Sequence, residues 1–267
     1  VSNLQKVPLI EELPKGFMSV RTGKRSFSWR SDKGASLTYV TALDSGDPSK
    51  KVDFRDEVYE LNYPFSGKGK FILKTINRFS GIDWGTKDMA IAYDTWWNTR
   101  NRKSYVFNPS NPNIKPKIIS DRNYQDTYSD PGNFLRSRNE FNRSVLKMHY
   151  GNIFLRGQGF SPSGQFPFID KVNTKTFEKT RVYQSSYTDK IESIIDYDPK
   201  KNQLTVSIES PSEYPNYYTK KVKSGKLEKL TNLKNPFLEL QNVKKEKITY
   251  LRNDGVELSG ILYLPLN

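Results

Sequence analysis

The chain contains no cysteine and a single histidine, His149. The first absence excludes a disulfide scaffold, thiolate metal sites and a cysteine nucleophile. The second leaves too few imidazoles for a zinc site. No apolar run approaches the roughly 18 residues of a membrane-spanning helix. The opening VSNLQKVPLIEELPKG has neither the basic start nor the apolar block of a secretory signal, and it does not begin with Met. Motifs that carry chemistry are missing too. There is no G-x-S-x-G nucleophile turn; in the nearest stretch, GQGFSPSGQ, Ser161 and Ser163 lack the flanking glycines. SGKGK, from Ser66 to Lys70, lacks the P-loop spacing and reads as a hairpin turn. Asp44, Asp47, Asp53, Asp56 and Glu57 crowd DSGDPSKKVDFRDE without the D-x-D-x-D-G run of a calcium loop, so a surface turn is expected there. His149 is expected to be an ordinary strand residue. No catalytic, metal-binding or cofactor-binding residue is assigned, and no cofactor is called for.

What is present is aromatic and basic. Of 267 residues, 35% are hydrophobic and 13% aromatic, so Tyr, Phe and Trp offset a thin aliphatic content and supply large buried areas. That is not a disordered composition. Lys and Arg number 43 against 29 Asp and Glu, a net charge of +14. The cations are spread along the chain, and the densest groups, Thr99 to Lys103 and Lys220 to Lys229, look like strand ends and turns. A solvated surface explains them better than nucleic-acid binding, with a basic groove for acidic peptides between the two readings.

Helical periodicity is nearly absent. Short β-prone runs such as SLTYVTAL, EVYELNY, KFILKTI, MAIAYDTWW, NIFLRGQ and QLTVSIES alternate with Gly, Pro, Asn, Asp and Ser clusters. Trp29, Trp84 and Tyr197 each precede a polar turn and then a strand, at Leu37, Met89 and Leu204. The intervals are about 55 and about 113 residues, the second close to twice the first. A further unit is therefore expected near residue 140, where Phe141 precedes a polar turn and a strand. An aromatic, a turn and a strand repeated about every 56 residues fit a propeller blade, because one blade cannot cover both of its own faces. Each aromatic is expected to pack between blades. The fold expected is all-β: a β-propeller of about four blades, each a four-stranded antiparallel sheet. The last residues, KITYLRNDGVELSGILYLPLN, read as a hairpin turning at Asn253-Asp254-Gly255, yet nothing beyond Pro265 is left to cover it.

Several stretches together resemble one family: RTGKRSFSWRSDKGASLTYVTALDSGDP, RDEVYELNYPF, RFSGIDWGTKDMAIAYDTWWNTR, DRNYQDTYSDPGNF, FSPSGQFPFID, SEYPNYY, LTNLKNPF and ITYLRNDGVELSGILYLPLN. They resemble, in order, the middle of the glutamyl endopeptidase branch of the prolyl oligopeptidase family of serine peptidases. The resemblance implies a propeller over residues 1–243, opening on the outer strand of a preceding blade. It implies a connector and the first hairpin of an α/β-hydrolase domain over 244–267. The chain would then be a piece of a larger propeller, and the family's Ser, acid and His have no matching positions in it. In the parent protein the propeller would gate peptide access to its own hydrolase domain.

Some side chains leave a role open. Trp96 and Trp97 with Arg100 suit either packing, with Arg100 tied to a carboxylate, or peptide contact. Tyr214 to Tyr218 suits a rigid loop end. Arg78, Arg100, Arg122 and Arg156 are the cations available for a substrate carboxylate. The competing reading is a self-contained propeller that binds a protein or peptide; a polyanion binder is a third. The partners expected are the hydrolase domain and a peptide substrate, with no nucleic acid, no membrane, and homo-oligomers through open blade edges.

Overall fold

The computed structural model describes residues 3–240 and 243–264. Among these there is no α-helix, only two 3-10 turns, Ile10–Glu12 and Leu238–Leu240. Two compact units result, residues 1–184 and 185–267.

The first unit holds three sheets. The first is β1 (Arg25–Trp29), β2 (Ser36–Ala42), β3 (Asp56–Asn62) and β4 (Lys70–Thr75), each strand pairing antiparallel with the next. The second repeats the order with β5 (Arg78–Thr86), β6 (Met89–Trp96), β7 (Asn101–Phe107) and β8 (Lys117–Asn123). The third is interrupted. Its first strand is split into β9 (Asn133–Phe134) and a later β12 (Met148–His149), with the hairpin β10 (Arg136–Arg138) and β11 (Ser144–Leu146) inserted between them. Both halves pair with β13 (Asn152–Gly157). A small hairpin, β14 (Phe160–Ser161) and β15 (Gly164–Gln165), leads on to β16 (Phe168–Asn173) and β17 (Lys179–Gln184).

The second unit holds a fourth sheet, β18 (Ile191–Asp198), β19 (Gln203–Glu209), β20 (Asn216–Lys221) and β21 (Leu227–Lys229), then the pair β22 (Lys244–Leu251) and β23 (Glu257–Leu264). Four sheets of this order are the expected blades. The closing hairpin forms as read: Gly255 takes φ 84° and Arg252 N–H donates to the Val256 carbonyl. Pro265 lies outside the described residues.

Burial explains why the sheets stack. β2 reads buried from Ser36 through Val40, and β6 from Met89 through Ala92, so these strands present apolar side chains on both faces. Neighbouring sheets must cover both. Val40, Val58, Ile72 and Leu73 of the first sheet meet Trp84, Ala90, Ala92 and Phe107 of the second in one cluster. On the other face of the second sheet, Met89, Ile91 and Val106 meet Ile153, Leu155 and Val172 of the third.

Two expectations need correcting. The third unit's aromatic is not Phe141, which is 46% exposed at the tip of the inserted hairpin. The strand equivalent to β2 and β6 starts at Asn152, later than the interval implies, because the insertion lengthens the repeat. Trp29 is not packed between sheets either. It is 52% exposed and makes an edge contact with Phe65 (centroids 5.7 Å). Trp84 and Tyr197 are buried, as the repeat requires.

Candidate functional site

The densest chemistry lies where the first two sheets meet. Arg25 opens β1 and Arg78 opens β5, each shortly before the repeat's Trp. Between them lie Asp44 and Asp56, both fully buried. Arg78 Nη1 donates to Asp44 Oδ1 (2.9 Å) and Asp56 Oδ1 (3.2 Å), its Nη2 lies 2.8 Å from Asp44 Oδ2, and its Nε donates to the Met18 carbonyl. Arg55 Nη1 donates to Asp44 Oδ2 (2.8 Å), and Arg25 Nη2 lies 2.5 Å from Asp56 Oδ1. The second sheet's backbone joins in through Phe79 N–H, which donates to Asp56 Oδ2 (2.8 Å). Three guanidiniums therefore surround two carboxylates, and the group clasps one blade to the next. The acidic run read as a surface turn contributes its two key carboxylates to this interior. Asp47 behaves as a turn residue, accepting from Ser49, and Asp44 also accepts from Gly46 N–H (3.0 Å) in its own turn.

A second charged group sits at the turn after β1. Arg30 is buried, forks Asp32, donates to Glu60 Oε2 (3.0 Å) and lies over the Trp84 ring (4.2 Å to its centroid). Lys33 pairs with Glu60, and Ser36 Oγ donates to Glu60 Oε1 (2.7 Å). Burial alone would raise the Glu60 carboxyl, but the bonds from Lys33 and Ser36 and the nearby Arg30 charge outweigh it and hold it below its ordinary value. A depressed carboxylate contributes stability that is complete above its unfolded pKa and lost as pH falls through its folded one. Urea midpoints measured from pH 6 down to pH 3 are therefore expected to fall less steeply in Glu60→Gln than in the unsubstituted chain. Parallel slopes would remove Glu60 from the acid response.

The residues singled out from sequence are placed as follows. Arg78 is consumed in the clasp. Arg100 stacks on Trp97 (3.7 Å to the ring centroid) and donates to the Trp97 carbonyl rather than to a carboxylate. Arg122 binds the Asn123 and Asp126 carbonyls and Asp130. Arg156 lies half-buried in β13. Trp96 ends β6 beneath Arg55 (3.9 Å), while Trp97 is in the following turn, 43% exposed and against Phe17. His149 lies on the ring of Tyr150 (4.2 Å), and the Ser161 and Ser163 hydroxyls contact each other across the β14–β15 turn (3.1 Å). Ser66 to Lys70 forms the end of the β3–β4 turn. Gly69 there has φ 78°, and a Cβ would sit 2.4 Å from the Glu60 carbonyl. In the second unit, Asn216 is the buried pivot of Tyr214 to Tyr218, donating to the Tyr214 and Leu233 carbonyls and accepting from Thr231 and Leu233.

Sequence reasoning missed Arg25, Arg30, Glu60 and the Asn77–Asp94 pair. A signal for the first existed: Arg25 and Arg78 occupy matching places before Trp29 and Trp84. An open cleft of ≈ 400 Å³ lies beside the β3–β4 turn, lined by Glu57, Tyr59, Lys68, Gly69, Phe71 and Lys74. Tyr59 stacks on Tyr39 (5.2 Å) and donates to Glu57 (2.6 Å); burial, then that bond, raises its phenol.

These repeated, clasped, four-stranded antiparallel sheets define a β-propeller chain. Searches against known proteins give it relatives. The probable chloroplastic glutamyl endopeptidase of rice (Oryza sativa subsp. japonica) is 34% identical over 281 residues, spanning 99% of this chain and 30% of the relative. Its Arabidopsis thaliana counterpart is 33% identical over 282 residues, spanning 99% and 29%. The chain is thus similar along nearly its whole length to proteins named as glutamyl endopeptidases, and it spans under a third of these relatives' length. Among solved structures, oligopeptidase B of Trypanosoma brucei aligns over 87% of this chain and 31% of its own, at 13% identity and a TM-score of 0.46. Oligopeptidase B of Leishmania major aligns over 88% and 37%, at 7% identity and 0.44. No family model matches the sequence.

Proposed function

We propose that the chain is the non-catalytic propeller part of a serine peptidase that hydrolyses peptides after glutamate. In this reading it gates access to a hydrolase domain that supplies the Ser nucleophile. The observation that carries this is the match along 99% of the chain to two relatives named as glutamyl endopeptidases. Within that reading, the β22–β23 hairpin is where the hydrolase sheet would begin. Its exposed Tyr250, Leu251, Ile261 and Tyr263 are apolar surface that a further layer would cover.

Acyl transfer needs a nucleophile, its base and an oxyanion site held together. Ser161 contacts the Ser163 hydroxyl and donates to the Gly164 carbonyl, and His149 lies against Tyr150, which supports assigning the nucleophile to another part of the protein. The test is a paired assay on a Glu-containing fluorogenic peptide. The protein expressed from its whole reading frame should cleave it, and a serine-directed phosphonate should abolish the cleavage. The 267-residue chain alone should be silent. Phosphonate-sensitive turnover by the chain alone, or none by the whole protein, would overturn the reading.

A further inference from the structure

The β10–β11 hairpin belongs to no blade. It interrupts the first strand of the third sheet: Leu135 N–H still donates to the Phe154 carbonyl, and Lys147 N–H donates back to the Leu135 carbonyl (both 2.8 Å). The strand therefore resumes with the hairpin looped out of it. The loop then runs along β5, the first strand of the second sheet. Arg136 pairs with Asp83, Val145 enters the cluster around Trp84, and Leu146 lies where a Cβ on Gly85 would meet it. Its tip reaches the turn that follows β1, the first strand of the first sheet. There Asn139 Nδ2 donates to the Ser31 carbonyl (2.7 Å), and Arg143 Nη1 donates to the carbonyls of Arg30 (2.8 Å) and Lys33 (3.2 Å).

One element thus touches the first strands, or the turn directly after one, of three successive sheets. In a radial array whose blades carry their first strands innermost, such a set lies on the side of the central channel. The insertion reaches from the third sheet to the first and is fastened at its far end. Its base is apolar and buried, whereas its tip is held by three bonds to backbone carbonyls. Arg136, Arg138 and Phe141 on it are exposed.

We propose that this hairpin is a strap across the channel side of the propeller that limits the size of substrate admitted, with Arg143 as the latch that holds its tip. The inference rests on the gating reading above and gives that gate its residues.

The test uses two readouts. Because the chain has no native cysteine, Gly34→Cys and Glu140→Cys can carry a pair of nitroxide labels across the latch; Gly34 has open space at its Cβ position. Arg143→Ala should broaden a narrow label-to-label distance distribution without lowering the thermal midpoint of the sheets. In the protein expressed from its whole reading frame, the same substitution should raise the ratio of kcat/KM on a long unfolded polypeptide to that on a short peptide by about fivefold. Arg143→Lys, which keeps a cationic donor but not the planar guanidinium, should fall between. An unchanged distance distribution removes the latch. A broadened distribution with an unchanged ratio removes the size limit while leaving the peptidase reading intact. Cleavage of neither substrate by the unsubstituted protein removes the peptidase reading, and the strap's role falls with it.

Discussion

Arg78→Ala is expected to destabilise the 1–184 unit by about 3–5 kcal/mol, the range for removing one partner of a buried ion pair. The size follows from what stays behind. Asp44 and Asp56 are fully buried, and Arg78 is the cation that reaches both. Without it, Asp44 keeps Arg55 and Asp56 keeps Arg25, but each carboxylate loses a charged donor where water cannot replace it. The loss also falls between two sheets, because Arg78 begins the second while its partners belong to the first. Arg78→Lys should recover only part of the effect, since an ammonium cannot fork one carboxylate and reach the other. Urea titration of the single variants is the check. A midpoint within error of the unsubstituted chain would mean that the clasp is a by-product of apolar packing.

Asp94→Asn is expected to cost about 2–3 kcal/mol, as for buried bonds to a charged group. Asp94 accepts from Asn77 N–H (2.9 Å), Asn77 Nδ2 (3.0 Å), the Tyr105 hydroxyl (2.5 Å) and Lys103 N–H (3.3 Å). An amide has one acceptor oxygen, so its NH2 group must face donors. The Tyr105 hydroxyl can turn to accept, but the two backbone N–H groups cannot. Tyr105→Phe should cost less, about 1.5 kcal/mol, because it leaves Asp94 three donors and gives up only the hydroxyl's bond to Asp94 and its longer bond from Ile76 N–H (3.3 Å). Burial raises the Asp94 pKa despite these bonds. With its folded value above its unfolded one, Asp94 favours folding less as pH rises through that interval, opposite in sign to Glu60. Asp94→Asn should therefore remove an opposing contribution as well as stability, which thermal scans at pH 4 and pH 7 separate. Equal losses from Asp94→Asn and Tyr105→Phe would contradict the backbone part of the argument.

Strands with β-prone runs bounded by turn residues were legible in the sequence: β2, β3, β6, β13 and β19 lie where the runs are. β16 was not, because Asp170 and Lys171 interrupt FIDKVN. The structure tolerates Asp170, almost fully buried, because Arg181 Nε donates to it from the adjacent strand (2.5 Å). A charge in a central strand is readable only with its partner, and the partner lies eleven residues away in sequence. The same limit hid the clasp. Arg25, Asp44, Asp56 and Arg78 are ordinary surface residues until the blades stack. The acidic run looked like a turn because its neutralising guanidiniums come from elsewhere in the chain. The strap was invisible for another reason. SVLKMHY reads as one strand, and only the pairing of Met148 with Ile153 and of Phe134 with Leu155 shows a single strand split by an insertion. The relationship to glutamyl endopeptidases, by contrast, was carried by contiguous stretches and needed no folding to be seen.

The most direct measurement of the central claim is the sequence of the reading frame beyond Asn267. The account predicts a strand-to-helix G-x-S-x-G segment there, followed by an acid and then a histidine, the order a hydrolase domain of this kind requires. A stop codon immediately after Asn267 would contradict it. The β22–β23 hairpin would then belong to this fold alone, and the protein would be a peptide- or protein-binding propeller with no peptidase to gate.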